Sequence, residues 1–333
     1  MAYTTIDDPS GIFTANLYSG NATNGTTIST GHTNDLIWTK GRAGTYGGRG
    51  LRIIDSVRGA TKVLYGDQDL AEGTNNSSSG VTGFASTSYT IGGDADFNGS
   101  STTYVSWTWK IQAGVCDIQT YDGASNTRTI SHNLGSVPKA MIFKRFDEGA
   151  WIVYHADAGG ANKYLVLNTT AAVDTATTLF NNTVPTSSVF SVGNTNSTNG
   201  NGIGYIVYLF GNKQGVSKMG SYTGNGQDTP NGVFTWLGFK PAFILIKATD
   251  SNSWVIVDNK RPADSNPVDS SLAADSSAAE TTGDSNTTFD FLSNGFRTNG
   301  NSGNNNSSGQ KYIYMAFAEN PFVTSTGVPA CAR

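Results

Sequence analysis

This sequence predicts an all-β chain: three tandem β-sandwich domains, jelly-roll-like and about one hundred residues each, preceded by an extended N-terminal segment. Three observations carry that expectation. Ser, Thr and Asn make up 106 of the 333 residues and Gly another 40, while only 14% are charged. That mix favours turn-dense β structure over helical bundles, which are rich in Ala, Glu, Lys and Leu. Aromatic residues amount to 11%, enough for several cores and too many for a disordered chain. Finally, four short apolar elements recur in one order, three times over.

The first recurring element is Leu17-Tyr18-Ser19-Gly20, then Thr120-Tyr121-Asp122-Gly123, then Ser221-Tyr222-Thr223-Gly224. Each is followed by a polar turn and a further apolar residue, aligned as Ile28, Ile130 and Phe234. The second element ends in lysine, with Leu36-Ile37-Trp38-Thr39-Lys40, Ala140-Met141-Ile142-Phe143-Lys144 and Phe243-Ile244-Leu245-Ile246-Lys247. The third is Leu51-Arg52-Ile53-Ile54-Asp55, Trp151-Ile152-Val153-Tyr154-His155 and Trp254-Val255-Ile256-Val257-Asp258. The closing element runs from Tyr104 to Trp109, from Tyr205 to Phe210 and from Tyr312 to Phe317. These runs are short, rich in Val, Ile and aromatics, and separated by Asn/Gly/Ser clusters where positive φ costs little, so they read as strands and turns.

The repeats place domain limits at 13–112, 116–214 and 217–320, with an N-terminal segment 1–12 and a C-terminal tail 321–333. Three-residue joints leave little freedom to swing, which predicts a rigid rod or a compact trimer of lobes. One helical turn is expected at 271–280, where Leu272, Ala273, Ala274, Ala278 and Ala279 cluster, matched by 168–173 in the second repeat.

A formal charge of −4 and a pI near 5.3 argue against a nucleic-acid partner. No apolar run is long enough to cross a bilayer, so no membrane association is expected. The N-terminus has neither a basic region nor an apolar one, so synthesis in a cytoplasm without a signal peptide is expected. Cys116 and Cys331 cannot form the framework of a disulfide-rich scaffold or a cysteine-rich zinc site.

Catalytic chemistry finds little footing. His32, His132 and His155 sit at strand ends and read as structural polar contacts, and no nucleophile elbow, zinc helix motif or phosphate loop occurs. The run 200–204, Gly-Asn-Gly-Ile-Gly, lacks a following helix and reads as a turn. Asp94-Ala95-Asp96-Phe97-Asn98-Gly99 matches the first half of a calcium loop, but Val105 stands where the bidentate acid belongs. The acidic pairs Asp7-Asp8 and Asp147-Glu148 are not spaced in any way that marks a glycosidase cleft. The expectation is a non-enzyme with no cofactor and no metal. Trp38, Trp107, Trp109, Trp151, Trp236 and Trp254 read mostly as core, with a sugar-binding platform as the lesser reading.

The segments Gly238-Phe239-Lys240-Pro241-Ala242, Trp254-Val255-Ile256-Val257-Asp258-Asn259-Lys260-Arg261, Leu292-Ser293-Asn294-Gly295-Phe296 and Tyr312-Ile313-Tyr314-Met315-Ala316-Phe317-Ala318-Glu319-Asn320-Pro321-Phe322 resemble a domain common in virion structural proteins of tailed phages of marine bacteria. The opening Ala2-Tyr3-Thr4-Thr5-Ile6-Asp7-Asp8-Pro9-Ser10 is similar to the start of such proteins. The first repeat departs most, with Gly-rich residues 41–50 in place of a compact loop.

The resemblance implies a non-enzymatic protein on the virion surface. One form is a tail fibre or adhesin that presents loop-rich sandwiches for host attachment, and the alternative is a decoration protein cementing the head lattice. A virion-borne glycan hydrolase is the reading from another class. Tyr3, Ile6, Pro9, Ile12 and Phe13 are the candidate assembly anchor onto other virion proteins. A host-surface glycan or protein is the expected further partner, and a homotrimer the expected assembly.

Overall fold

The structure is a computed structural model that describes residues 3–75, 78–261 and 266–329; Cys331 lies outside the described residues. It is nearly all β, built of antiparallel sheets, and no α-helix occurs among the described residues. A 3-10 turn, Pro9–Gly11, leads into the first third of the chain. That third contains β1 (Phe13–Ser19), β2 (Thr26–Ser29), β3 (Leu36–Gly44), β4 (Arg52–Asp55), β5 (Lys62–Tyr65), β6 (Gly73–Thr74), β7 (Val81–Phe84), β8 (Ser88–Ile91) and β9 (Thr102–Trp109). The second contains β10 (Cys116–Asp122), β11 (Arg128–Ser131), β12 (Ala140–Arg145), β13 (Ile152–His155), β14 (Lys163–Val166), β15 (Asp174–Thr175), β16 (Val189–Val192) and β17 (Gly204–Phe210). The last contains β18 (Ser217–Thr223), β19 (Val233–Trp236), β20 (Phe239–Ala248), β21 (Val255–Asp258), β22 (Leu272–Ala273), β23 (Thr288–Leu292), β24 (Gly295–Asn299) and β25 (Lys311–Pro321).

Each third makes one large and one small sheet. The large sheets run β1-β9-β3-β4-β5-β6, β10-β17-β12-β13-β14-β15 and β18-β25-β20-β21-β22. The small ones run β2-β8-β7, β11-β16 and β19-β24-β23. The closing element always lies between the opening and lysine-ending elements, as the pairs Phe13 with Trp109, Cys116 with Phe210 and Ser217 with Phe317 record.

The lysine-ending strands are continuously apolar because both of their faces are covered. Ile37, Met141, Phe143, Ile244 and Ile246 face the small sheet of their own third. Their neighbours Leu36, Trp38, Ile142, Phe243 and Leu245 face a core common to all three thirds. At the centre of that core the last residues of the three closing elements meet. Trp109, Phe210 and Phe317 lie 5.4–6.3 Å apart, ring centre to ring centre. Side-chain sizes around them are traded between thirds: Phe13, Cys116 and Ser217 occupy one set of like positions, and Leu36, Ala140 and Phe243 another.

The contacts between thirds form a closed cycle. The Glu72 amide donates to the Phe146 carbonyl (2.7 Å), Val173 to Thr249 (2.8 Å) and Glu280 to Arg42 (2.9 Å), so first meets second, second meets last and last meets first. The three repeat lysines follow the same cycle. Each is buried and donates only to backbone carbonyls, one of them in a neighbouring third: Lys40 to Ser276 (2.6 Å), Lys144 to Asp69 (3.4 Å) and Lys247 to Thr170 (3.3 Å). Burial lowers each ammonium to about 8.

The third recurring element closes the same joints. Asp55 accepts from the Tyr208 hydroxyl (2.8 Å) and Asp258 from the Trp107 indole (2.9 Å), each carboxylate also held by an arginine three residues on, Arg58 or Arg261. At the third joint Met315 occupies the place of Trp107 and Tyr208 and offers no donor, and the acid is replaced by His155, whose Nε2 meets the Tyr314 carbonyl at 3.1 Å. Residue types at the two positions change together, as charge pairing in a dry interface requires.

The helical turn expected at 271–280 does not form. Leu272 and Ala273 pair with Ile256 and Val255 as β22, and Leu272 and Ala274 enter the shared core. Residues 168–173 are likewise not helical, and Val173 reaches across to Thr249. In both stretches tertiary pairing overrides the modest helical preference of alanine-rich sequence.

Candidate functional site

The polar loops that precede the closing elements are held from within. In each third two tyrosines stack at 5.0–5.2 Å: Tyr18 on Tyr104, Tyr121 on Tyr205 and Tyr222 on Tyr312. Their hydroxyls bond loop backbone, and a fully buried asparagine beside them, Asn98, Asn199 or Asn306, accepts from the amide of Asn21, Ala124 or Asn225. The half-match to a calcium loop belongs to this arrangement. Asp94 accepts from the amides of Gly80 and Asp96, while Asp96 pairs with Arg49 and Arg52. Among the described residues no group of three or more His, Cys, Asp or Glu side chains is placed to hold a metal ion.

The histidines sit in similar structural contacts. His32 lies between the Thr14 and Thr108 hydroxyls, and His132 accepts the Leu134 amide. His155 accepts the Asp157 amide at Nδ1, so the proton is assigned to Nε2, which donates to Tyr314. Burial pushes its pKa down to about 4. An unfolded histidine titrates near 6.5, so between about pH 6.5 and 4 the unfolded chain binds the extra proton and the folded one does not. The contribution of His155 is complete above pH 6.5 and is lost as pH falls toward 4, by about 3 kcal/mol in all. Urea midpoints of the wild type and His155→Gln should therefore diverge in pH dependence across this window. Parallel curves would refute the assignment.

Only one tryptophan of the six is exposed. Trp38, Trp107, Trp109, Trp151 and Trp254 are buried, as expected for core. Trp236 is 45% exposed, as is Phe234 two residues before it on the same face of β19. The cause is register. Ile28 pairs with Tyr89 and Ile130 with Phe190, but it is Thr235 that pairs with Phe296. Phe234, aligned by sequence with the inward isoleucines, therefore lies one residue out of step. In a strand one residue reverses the face. Phe234 and Trp236 occupy positions held by exposed Thr27 and Ser29 in the first third, and by Thr129 and Ser131 in the second.

Beside this pair lies a groove of about 440 Å³ at the boundary of the second and last thirds. Its polar lining includes Lys139, Asp157, Asn212, Lys218 and Ser221, with Tyr314 and Thr235 as more deeply placed members. Tyr314 pairs with Gly220, and a Cβ on that glycine would come within 2.5 Å of the phenol oxygen, so the ring requires glycine there. The other thirds carry Asn16 opposite Ser106 and Gln119 opposite Val207. Burial, with Asp157 adding to it, raises the Tyr314 phenol, which stays a neutral donor and acceptor. Lys218 donates to the Trp236 carbonyl at 2.7 Å, and burial lowers its ammonium. The buried Thr235 hydroxyl has no hydrogen-bond partner.

Of the five anchor residues, Pro9, Ile12 and Phe13 are buried and Tyr3 and Ile6 are partly exposed. Phe13 stacks among Trp109, Phe243 and Phe317, Ile12 and Pro9 are buried, and Ile6 packs against the shared core. Tyr3, part-buried, donates to the Gly238 carbonyl (2.8 Å) and meets Phe322, which in turn props Trp236 edge-on at 5.4 Å. The apolar surface expected for docking is thus covered by the last third, and only Tyr3 and Ile6 keep partial exposure. Of the five, Tyr3 alone is linked to the exposed aromatic pair, through Phe322, a connection that no local pattern near residue 3 announces.

Among the groove-lining residues Asp157 is the sole carboxylate. Cys116 is free and buried, its thiol pushed up by burial within the shared core. No helix among the described residues is long and apolar enough to cross a membrane. No curated protein and no solved structure matches the chain. A family model does match residues 8–321, one stretch that takes in all three repeats and the residues leading into β1, and the chain belongs to that family, described as a domain of unknown function, DUF7483.

Proposed function

We propose that this chain is a non-enzymatic surface structural protein of a tailed-phage virion, of the tail-fibre or adhesin kind. In this reading it is three tandem jelly-roll-like β-sandwich domains arranged as a ring, presenting their loops for host attachment. The resemblance of the last third to virion proteins supports it, as do the low charge and the Asn/Ser/Gly-rich loops braced by buried Tyr and Asn side chains. The observation that carries attachment over decoration of the head lattice is the open groove beside Phe234 and Trp236. A concave site of mixed polar and aromatic lining suits a small ligand, and a cement protein needs none.

Assembly as a homotrimer and docking onto other virion proteins remain part of the proposal, with Tyr3 and Ile6 the anchor residues still partly open to a partner. Quantitative mass spectrometry of purified particles, scaled to the major capsid protein, tests the reading. A few to a few tens of copies per virion place the chain on the tail. Hundreds would make it a decoration protein, and none would end the virion reading.

A further inference from the structure

We infer that the groove between the second and last thirds is a glycan-binding site, with Trp236 and Phe234 as its stacking platform. The inference rests on the attachment reading and names its ligand class, a short oligosaccharide. Four observations converge on it.

The last third alone places aromatic rings where the other two carry Thr and Ser, and solvent exposure of two large rings on one edge strand has no folding benefit. Ring faces are matched by the C–H faces of a sugar, which are apolar, while sugar hydroxyls need donors and acceptors at the rim. Lys139, Asp157, Asn212, Ser221 and the Tyr314 hydroxyl supply both. The volume, about 440 Å³, lies within the roughly 300–1,000 Å³ of small-ligand sites.

Two lysines against one carboxylate also give the groove a positive balance in a chain of net charge −4, which favours a sugar bearing an acidic group.

Trp236 provides its own readout, because it is the one exposed indole among five buried ones. Full-length protein is titrated with trigalacturonate and with maltotriose while tryptophan emission is followed, alongside Trp236→Ala and Phe234→Thr. The Phe234→Thr variant carries the residue type that the first two thirds have at that place, and a surface substitution at Val184 serves as control. The expected result is saturable quenching by the acidic trisaccharide, weaker for the neutral one. Phe234→Thr should weaken binding about tenfold or more. Calorimetry, which needs no indole signal, should show binding lost in Trp236→Ala and unchanged in the Val184 variant.

Quenching by neither sugar, or calorimetric binding retained in Trp236→Ala, overturns the inference. Failure here with tens of copies per virion would leave the attachment reading standing. Binding here with no copies in the particle would instead remove that reading and keep the site.

Discussion

Replacing Trp109 with alanine should destabilise the chain by about 3–5 kcal/mol and should weaken all three thirds together. The indole touches Phe13 and Trp38 of its own third, Phe210 of the second, and Phe243 and Phe317 of the last, all within 6.3 Å between ring centres. Removing it opens a cavity whose walls belong to three sheets, none of which can collapse without dragging its own small sheet. Urea unfolding followed by far-UV circular dichroism measures the loss. Trp236→Ala is the matched comparison: its ring is exposed, and its removal should change stability by no more than about 0.5 kcal/mol. A Trp109 variant that costs less than 1 kcal/mol, or that loses only the signal of the first third, would contradict a shared core.

The second large effect is expected at the joint between the last and first thirds. Asp258 is fully buried and accepts from the Trp107 indole, from Arg261 Nε (2.6 Å) and from the amides of Lys260 and Arg261. Asp258→Ala strands the Arg261 guanidinium, itself 0% exposed at its side chain, with Glu280 as its remaining charged partner. Breaking a buried pair from one side costs about 3–5 kcal/mol, because the surviving charge stays desolvated. Trp107→Phe in the same background isolates the cross-third bond. A double-mutant cycle should return a coupling of about 1.5–3 kcal/mol, as for hydrogen bonds to charged acceptors. A coupling near zero would mean that Asp258 serves Arg261 alone.

Strand positions and the threefold repetition were legible because they are local. Two-sided burial writes itself as unbroken runs such as Phe243-Ile244-Leu245-Ile246, and Asn-Gly pairs mark the turns between. The lysine that closes each run was visible as a landmark. Its reason was not, since the carbonyl oxygens that hold Lys40 lie as far along the chain as Ser276. How the thirds face one another depends on such pairings, which span from 75 residues at one joint to 236 at another, and composition has no access to them.

The same limit applies to the site. Matching Phe234 to Ile28 and Ile130 aligned apolar with apolar, which is the reasonable choice when only pattern is available. Pairing of β19 with β24 instead seats Thr235 inward, and that single step is what turns Phe234 and Trp236 to solvent. Tyr314 belongs to the closing element and reads as core. Only its pairing with Gly220 reveals that its hydroxyl can reach a groove.

Hydrogen exchange under increasing denaturant tests most directly whether the three repeats stand as one unit, which is the premise of a rigid platform for attachment. The peptides to follow are those of β9, β17 and β25, the strands that end in or run through Trp109, Phe210 and Phe317. If the thirds share one core, their slowest amides exchange through a single global opening with one free energy and one denaturant dependence. Three separate openings, or one third that exchanges while the other two stay protected, would contradict the account.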